Sequence, residues 1–411
     1  MPKKLLIIGF VWPEPRSSAA GIRMIQLIEA FQLDDYAITF ASTCTKSDNA
    51  FDLSTIGIEQ ISIELNNSSF NVFVKEFNPD VVLFDRFMTE EQFGWRVAEQ
   101  CPNALRILDT EDLHGLRKGR VHAFKDGNVF DETYLLNDTS KREIASIYRC
   151  DLSLIISEAE MSILKNDFDV DESLLLYLPF MLDSISEESI KALLNYDQRA
   201  HFITIGNFLH EPNYNGVLYL KEAIWPIIKK QLPYAKLYVY GAYASQKVHQ
   251  LHNDNDGFLI KGFVKDVVEV MQKARVCLAP LRFGAGLKGK LIDAMKNGTP
   301  CVTTNIGAEG MYGDLEPNGF ISDTPEMFSE KSVELYKNEN LWKEKQQNGF
   351  KIINERFNKK YFQKVFLEHL ELATQQLTER RLKNFTGQML HHHTLQSTKF
   401  MGKWIEEKNR T

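Results

Sequence analysis

Short apolar runs of four to seven residues alternate with helix-period segments from one end of this 411-residue chain to the other. A run such as Leu5-Leu6-Ile7-Ile8 has no polar alternation, so a strand made from it must be covered on both faces. That is the condition of a parallel sheet flanked by helices, and it predicts βαβ units. Leu5–Val11, Ala37–Ala41, Val81–Asp85, Leu105–Asp109, Leu152–Ser157 and Leu174–Pro179 read as a first series of strands. Gly21–Phe31, Glu90–Glu99 and Lys141–Tyr148 read as helices between them.

Ser184–Gln198 is charged and weakly patterned, and reads as a linker region. A second series follows, with strands at His201–Gly206, Lys236–Gly241, Phe258–Val264, Val276–Pro280 and Cys301–Thr304. Helices are expected at Val217–Gln231, Val267–Ala274, Leu287–Asn297 and, in pieces, from about Pro325 to Phe357. Lys359–Arg381 carries Phe362, Phe366, Leu370 and Ala373 near four-residue spacing, the stripe of a further helix. The expected fold class is α/β: two Rossmann-like domains facing a cleft, with a C-terminal helix returning to the first. The boundaries are 1–183 and 200–357 for the domains, 184–199 for the linker, 358–381 for the returning helix and 382–411 for a tail. Single cores stop growing near ~250–300 residues, so two domains suit this length.

Composition narrows the function. With 44% hydrophobic and 25% charged residues the chain is an ordinary globular one, not a disordered or fibrous one. A net charge of −7 argues against nucleic acid as a partner. Five widely spaced cysteines without a C-x-x-C pattern predict reduced thiols and a cytoplasmic setting. No apolar run reaches the length of a membrane span, and the apolar N-terminal stretch, with Trp12-Pro13-Glu14-Pro15-Arg16 directly after it, reads as a buried strand rather than a signal peptide. The charge is uneven, however. From Arg380 to Thr411 stand seven basic and two acidic residues, interleaved with Phe385, Met389, Leu390, Phe400, Met401, Trp404 and Ile405. Such a tail suits peripheral contact with an anionic membrane, and a self-packed terminus is the alternative.

Ligands of open α/β sheets bind beyond the carboxyl ends of the strands, so the post-strand loops carry the chemistry. After Pro280 comes Leu281-Arg282-Phe283-Gly284-Ala285-Gly286-Leu287-Lys288-Gly289-Lys290-Leu291-Ile292-Asp293. A glycine-bearing turn that enters a helix presents free N–H groups and the positive end of a dipole, which favour a phosphate or diphosphate. Gly284 and Gly286 permit close backbone approach, and Arg282, Lys288 and Lys290 supply cations. At three-residue spacing, Lys290 would meet a phosphate and Asp293 the ribose hydroxyls of a nucleotide.

In the first half, Asp109-Thr110-Glu111-Asp112-Leu113-His114-Gly115-Leu116-Arg117 follows a strand directly. Three carboxylates, an imidazole and a cation suit a site that binds hydroxyls and manages a proton. Here His114 or a carboxylate such as Asp112 would hydrogen-bond an acceptor hydroxyl, with Glu111 beside it, while Arg117 or Arg120 would meet a phosphate. A solvated turn with Asp112 as a helix cap is the plain alternative. Arg23 reads equally as a surface residue, and Ser157-Glu158 as a helix start. His391-His392-His393 cannot all face one ion, and no metal is expected.

The Pro280–Asp293 stretch, with Asn297-Gly298-Thr299-Pro300-Cys301-Val302-Thr303-Thr304 and Gly307-Ala308-Glu309-Gly310 after it, resembles the donor region of GT-B glycosyltransferases, especially retaining family four. Gly206-Asn207-Phe208-Leu209-His210-Glu211-Pro212-Asn213, Trp225-Pro226, Tyr240-Gly241 and Gly262-Phe263-Val264 are similar to the same family's second domain. The resemblance covers about His201–Gly319; the first half matches in pattern rather than in motif. It implies a GT-B architecture with an acceptor-side first domain and a donor-binding second domain, and transfer of a hexosyl-type group from a nucleotide diphosphate sugar to the hydroxyl of a glycan or lipid-linked acceptor, with retention and without a required cofactor. Surface polysaccharide or glycolipid synthesis follows from family habit; the alternatives are a nucleotide-sugar epimerase that keeps the GT-B fold, or a non-catalytic nucleotide-sugar-binding subunit of a glycan assembly system. The resemblance also implies that Gly21 belongs to a loop approaching the donor phosphate from the first domain. Of the family's two glutamates eight positions apart, the second falls on Asp293 and the first on Ala285, which accepts no side-chain hydrogen bond.

Overall fold

The computed structural model describes residues 2–392 together with 400, 401, 404 and 408. Strands β1 (Lys4–Gly9), β2 (Ala37–Ser42), β3 (Glu59–Ser62), β4 (Val81–Asp85), β5 (Leu105–Asp109), β6 (Leu152–Ile155) and β7 (Leu175–Tyr177) form one sheet in the order β3-β2-β1-β4-β5-β6-β7. All its pairings are parallel. Leu5, Leu6, Ile7 and Ile8 are wholly buried, as an uninterrupted apolar run at the centre of a doubly covered sheet requires. The edge strand β3 has the sequence EQIS and is partly exposed; its short polar run carries no apolar signal and was not anticipated.

A second parallel sheet contains β8 (Phe202–Ile205), β9 (Leu237–Tyr240), β10 (Phe258–Gly262), β11 (Val276–Ala279), β12 (Cys301–Thr303) and β13 (Gly319–Ile321), in the order β10-β9-β8-β11-β12-β13. In both sheets the strand order reverses beside the first strand, between β1 and β4 and between β8 and β11. The loops at such reversals open a crevice at the carboxyl ends.

Three helices of the first unit matter for the site: α1 (Ala19–Gln32), α2 (His114–Asp126) and α3 (Asp138–Arg149), with α4 (Glu158–Asn166) after β6. In α1, Leu27, Ile28 and Phe31 pack on the sheet. Arg23 on the same helix is 1% exposed, bonded to the buried Asp109 carboxylate and to the Leu178 carbonyl, so its role is internal and the surface reading is corrected. In the second unit, α5 (Glu211–Tyr219) precedes a π-turn at Leu220–Ile224, and α6 (Gly289–Lys296) follows β11. Helix α6 starts two residues later than expected, because Gly286 has φ +66° and Lys288 is extended. Likewise, part of the expected loop after β5 is already the first turn of α2.

The chain returns to the first domain through α7 (Glu339–Arg356) and α8 (Lys359–Gln375). At the crossing, Leu182 N–H donates to Phe357 O at 2.7 Å and Lys359 N–H to Leu182 O at 2.9 Å. Phe362, Phe366, Leu370 and Ala373 then enter the core formed by Leu27, Ile28 and Phe31. Beyond α8, helices Leu377–Lys383 and α9 (Phe385–His391) stay on the first domain. Arg381 holds the Asp151 carboxylate with two nitrogens at 2.7 Å, and Arg380 donates to the Asp151 and Ser173 carbonyls. These two arginines anchor the segment and are not free tail charges. His391 is exposed, as expected of that run, and lies 2.9 Å from Arg106 Nη1 and 3.0 Å from Arg149 O. His393, Lys399, Lys403, Ile405, Glu406, Glu407 and Arg410 lie outside the described residues.

Candidate active site between the two sheets

The carboxyl ends of the two sheets meet. A methyl group placed on Gly286 would lie 2.9 Å from Asp112 Cβ, and one on Gly289 would lie 2.9 Å from Ala19 Cβ. Only glycine permits that proximity at these positions. The Phe124 and Phe283 rings touch with centroids 5.1 Å apart, and Lys125 pairs with Glu211 at 2.9 Å. Tyr243 donates to Glu14 from the opposite side of the cleft at 2.8 Å. Arg120, on α2, donates to Glu309 through both terminal nitrogens at 2.6 and 2.7 Å, and to the Gly284 carbonyl at 2.8 Å.

The glycine loop is held from both sides. Gly284 has φ +150° and Gly286 φ +66°, conformations that L side chains rarely adopt. Lys288 is buried, with its ammonium turned back to the Ala285 carbonyl at 3.0 Å and to that of Gly286. Burial pushes its pKa down to about 8, against the attraction of Glu309. Lys290, half-buried, donates to Asn213 Oδ1 at 2.9 Å, and desolvation in the cleft also brings it to about 8. Asp293 lies one turn further along α6; its carbonyl accepts from the Asn297 side chain at 2.8 Å, its carboxylate has no hydrogen-bond or ion-pair partner among the described residues, and desolvation raises it to about 6 against the attraction of Lys296.

Three of the candidates are placed differently from the expectation. The Gly286 N–H is already taken, by Glu160 Oε1 of the first domain at 2.8 Å, so in this closed arrangement it is not open to a phosphate. Gly21 stands inside α1 and its N–H serves the Ser18 cap at 3.0 Å; a Cβ there would strike the Glu14 backbone, which explains the glycine without a ligand. Arg282 donates to Asn215 at 2.8 Å and lies over the Phe124 and Tyr219 rings, 4.6 and 4.5 Å from their centroids. Its charge is thereby engaged at the domain contact rather than in the glycine loop.

On the first-domain side, Asp85 and Asp109 are register partners at the ends of β4 and β5. Arg86, directly after Asp85, at φ +72° and Glu111, two residues after Asp109, at φ +62° are held in left-handed conformations that cost energy in a non-glycine residue. Burial, then Asp109 and Asp85, raise the Glu111 pKa well above its usual value. Together with Trp12, Glu14 and Met24, these two residues and Asp85 line a small cavity at the strand ends. Asp112 is paired with Arg117 and lies 3.3 Å from His114 Nε2. Burial opposes its ionisation, but Arg117 and then His114 outweigh it and hold the carboxyl below the usual range. His114 is buried against the Phe87 edge, and desolvation pushes it down to about 3 despite Asp112. It is therefore a neutral imidazole at physiological pH.

Sequence reasoning missed Glu143, Glu160, Glu309 and Asn213 as site residues. Glu143 accepts from the His114 and Gly115 amides, both at 3.0 Å, and so fixes the start of α2. A single carboxylate inside a helix looks like a solvated face, and only the tertiary fold brings it to a helix N-terminus. His210, at the mouth of the cleft, marks where the halves join. Desolvation there, and the charges of Arg117, Lys290 and Lys288 against Asp112, lower its pKa to about 4.

The family model described as glycosyl transferases group 1 matches residues 199–338. The chain is 27% identical over 173 residues to an uncharacterized 44.6 kDa protein in the cps region of Klebsiella pneumoniae; this is 40% of the chain, and it spans 45% of that relative's length. Among solved structures, the sucrose-phosphate synthase of Thermosynechococcus elongatus is similar with TM-score 0.69 and 15% identity, covering 92% of this chain and 100% of that one. S. aureus TarM in complex with fondaparinux, α-GlcNAc-glycerol and UDP gives 0.67 and 11%, over 90% and 99% of the two chains. Anabaena HepE with UDP and glucose gives 0.65 and 13%, again over 90% and 99%. The fold is thus the GT-B architecture of two facing Rossmann-like domains, and the glycosyl transferases group 1 model matches within its second half.

Proposed function

We propose that this protein is a glycosyltransferase that moves a sugar from a nucleotide diphosphate sugar to an acceptor hydroxyl, with retention at the anomeric carbon. The observation that carries the reading is the meeting of two unlike half-sites. A cationic glycine loop with Lys288 and Lys290 faces a first-domain loop holding Asp112, His114 and Arg117, with Gly286 set directly against Asp112. Lys290, with the start of α6, would stabilise the diphosphate as it leaves, which is the largest protein contribution to such a step. Asp293 would accept from ribose hydroxyls. No hydrogen bond or ion pair engages its carboxylate among the described residues, which suits a group kept for a ligand.

Neutral His114 with Asp112 would hold the acceptor hydroxyl and its proton, and Glu111 and Arg117 would line the acceptor side. No step calls for a metal or another cofactor. The HepE and TarM structures contain UDP, which supports a uridine nucleotide as the first donor to try. The cps-region relative supports a surface polysaccharide as the product class. A cytoplasmic position with peripheral contact to anionic membrane is part of the proposal. Leu382, Phe385, Met389, Phe400, Met401 and Trp404 are all more than half exposed near the C-terminus, which supports that contact. Among the described residues no helix is long and apolar enough to cross a membrane.

Ala285 favours a second reading, a nucleotide-sugar-binding subunit without turnover. Incubation with UDP-sugars and an oligosaccharide or lipid-linked acceptor panel, followed by mass spectrometry, separates the two: transfer supports the enzyme, binding alone the subunit.

A further inference from the structure

Glu160 is a first-domain side chain that bonds the glycine loop of the second. It lies on α4, is wholly buried, and places a single oxygen, Oε1, 3.0 Å from the Leu113 N–H and 2.8 Å from the Gly286 N–H. Leu113 immediately precedes His114, the first residue of α2; Gly286 sits in the glycine loop ahead of Lys288 and Lys290. One carboxylate oxygen therefore joins the backbone of both half-sites. Its second oxygen, Oε2, is buried without a hydrogen-bond partner. That is a costly arrangement to keep for packing alone. Ala285, next to Gly286, is buried in the same apolar cluster as Leu113 and Leu116 of the first domain, so the carboxylate serving this loop comes from α4 and not from the loop itself.

We propose that Glu160 is a positioning residue that brings the His114 loop and the glycine loop into register as the cleft closes. This rests on the glycosyltransferase reading for its consequence in catalysis, but not for the closure itself. When the carboxylate is absent, the Leu113 and Gly286 amides lose their partner and the closed form loses a direct tie between its halves. Donor binding draws on Lys290, Asn213 and the rest of the second domain, so it should survive. Alignment of the acceptor loop with the bound donor should not.

The test uses full-length Glu160→Ala, Glu160→Gln and Glu160→Asp variants. Small-angle scattering without ligands should show a larger radius of gyration for E160A than for wild type, and the wild-type value for E160Q, whose amide oxygen can accept both bonds. UDP affinity by calorimetry should change less than about threefold, while E160A lowers kcat about tenfold to a hundredfold with little change in donor KM. If E160A does not fold, E160D, whose shorter arm cannot span both amides, should show the same kcat loss. Unchanged scattering and kcat in E160A, or in E160D where it must stand in, would overturn the proposal. So would an E160Q variant as impaired as E160A, since that would make charge and not positioning the requirement. If wild type itself binds no nucleotide and transfers no sugar, the functional reading fails, while the scattering comparison still decides whether Glu160 ties the loops.

Discussion

Lys290 Nζ lies 2.9 Å from Asn213 Oδ1, joining the helix after β11 to the helix after β8 across the strand-order reversal of the second sheet. Asn213 is itself held by donating to the Asn207 carbonyl at 2.9 Å, so the lysine is aimed by a fixed partner. A desolvated amine in that place stabilises developing negative charge far better than one in water. Lys290→Ala should lower transfer by about a hundredfold to a thousandfold with the melting temperature little changed. Initial rates beside a thermal melt check it; near-normal transfer would remove Lys290 from the donor site.

The pKa of about 8 shared by Lys288 and Lys290 gives a pH prediction. An ordinary lysine keeps its charge to above pH ~10, but these two lose it as pH passes about 8. Nucleoside diphosphate affinity should thus fall by about tenfold between pH 7 and 9 for each lysine that contacts phosphate. Calorimetry across that range, with Lys290→Arg moving the fall to higher pH, is the measurement. His114, with a pKa of about 3, should contribute no limb to the profile between pH 5 and 8.

Arg120 binds Glu309 and the Gly284 carbonyl from α2, so one guanidinium holds two loops of the second domain against the first. Arg120→Ala should open the cleft in scattering and lower transfer by about tenfold or more, because charge-assisted bidentate bonds are the stronger kind. Arg120→Lys should rescue little, as a single ammonium cannot reproduce the fork.

Asp151 and Arg381 define a third tie, far from the cleft. Burial opposes ionisation of Asp151, but the Arg381 hydrogen bond and then Arg106 hold it below the usual carboxylate range. A lowered carboxyl contributes stability above about pH 4 that is lost as pH falls through the folded value. Arg381→Ala should cost about 1–3 kcal/mol and speed proteolysis within the Leu377–His391 segment at neutral pH. The difference from wild type should shrink below pH 4.

Much of the fold was legible because its signals are local. The uninterrupted run Leu5–Ile8 demanded two covered faces, and Phe362, Phe366, Leu370 and Ala373 marked the face of the returning helix. Strand β3 was not legible, since at a sheet edge its polar residues need no cover. At the site, the glycine loop and the Asp109–Arg117 loop could be found from strand ends and charge. What could not be read was which groups are already used: Arg23 inside the core, Gly21 in a cap, Gly286 bonded to Glu160. Those pairings join residues 86, 3 and 126 positions apart. The long ones, and the carboxylates of Glu143 and Glu160, become visible only once the two sheets face each other.

The most direct test of the account is sugar transfer by the purified full-length protein, read by mass spectrometry with UDP-sugars, and then other nucleotide diphosphate sugars, against an acceptor panel. The account predicts an acceptor product heavier by one glycosyl unit, formed with release of the nucleoside diphosphate and lost in the Lys290→Ala variant. Failure of every nucleoside diphosphate to bind, or product formation indifferent to Lys290, would contradict it.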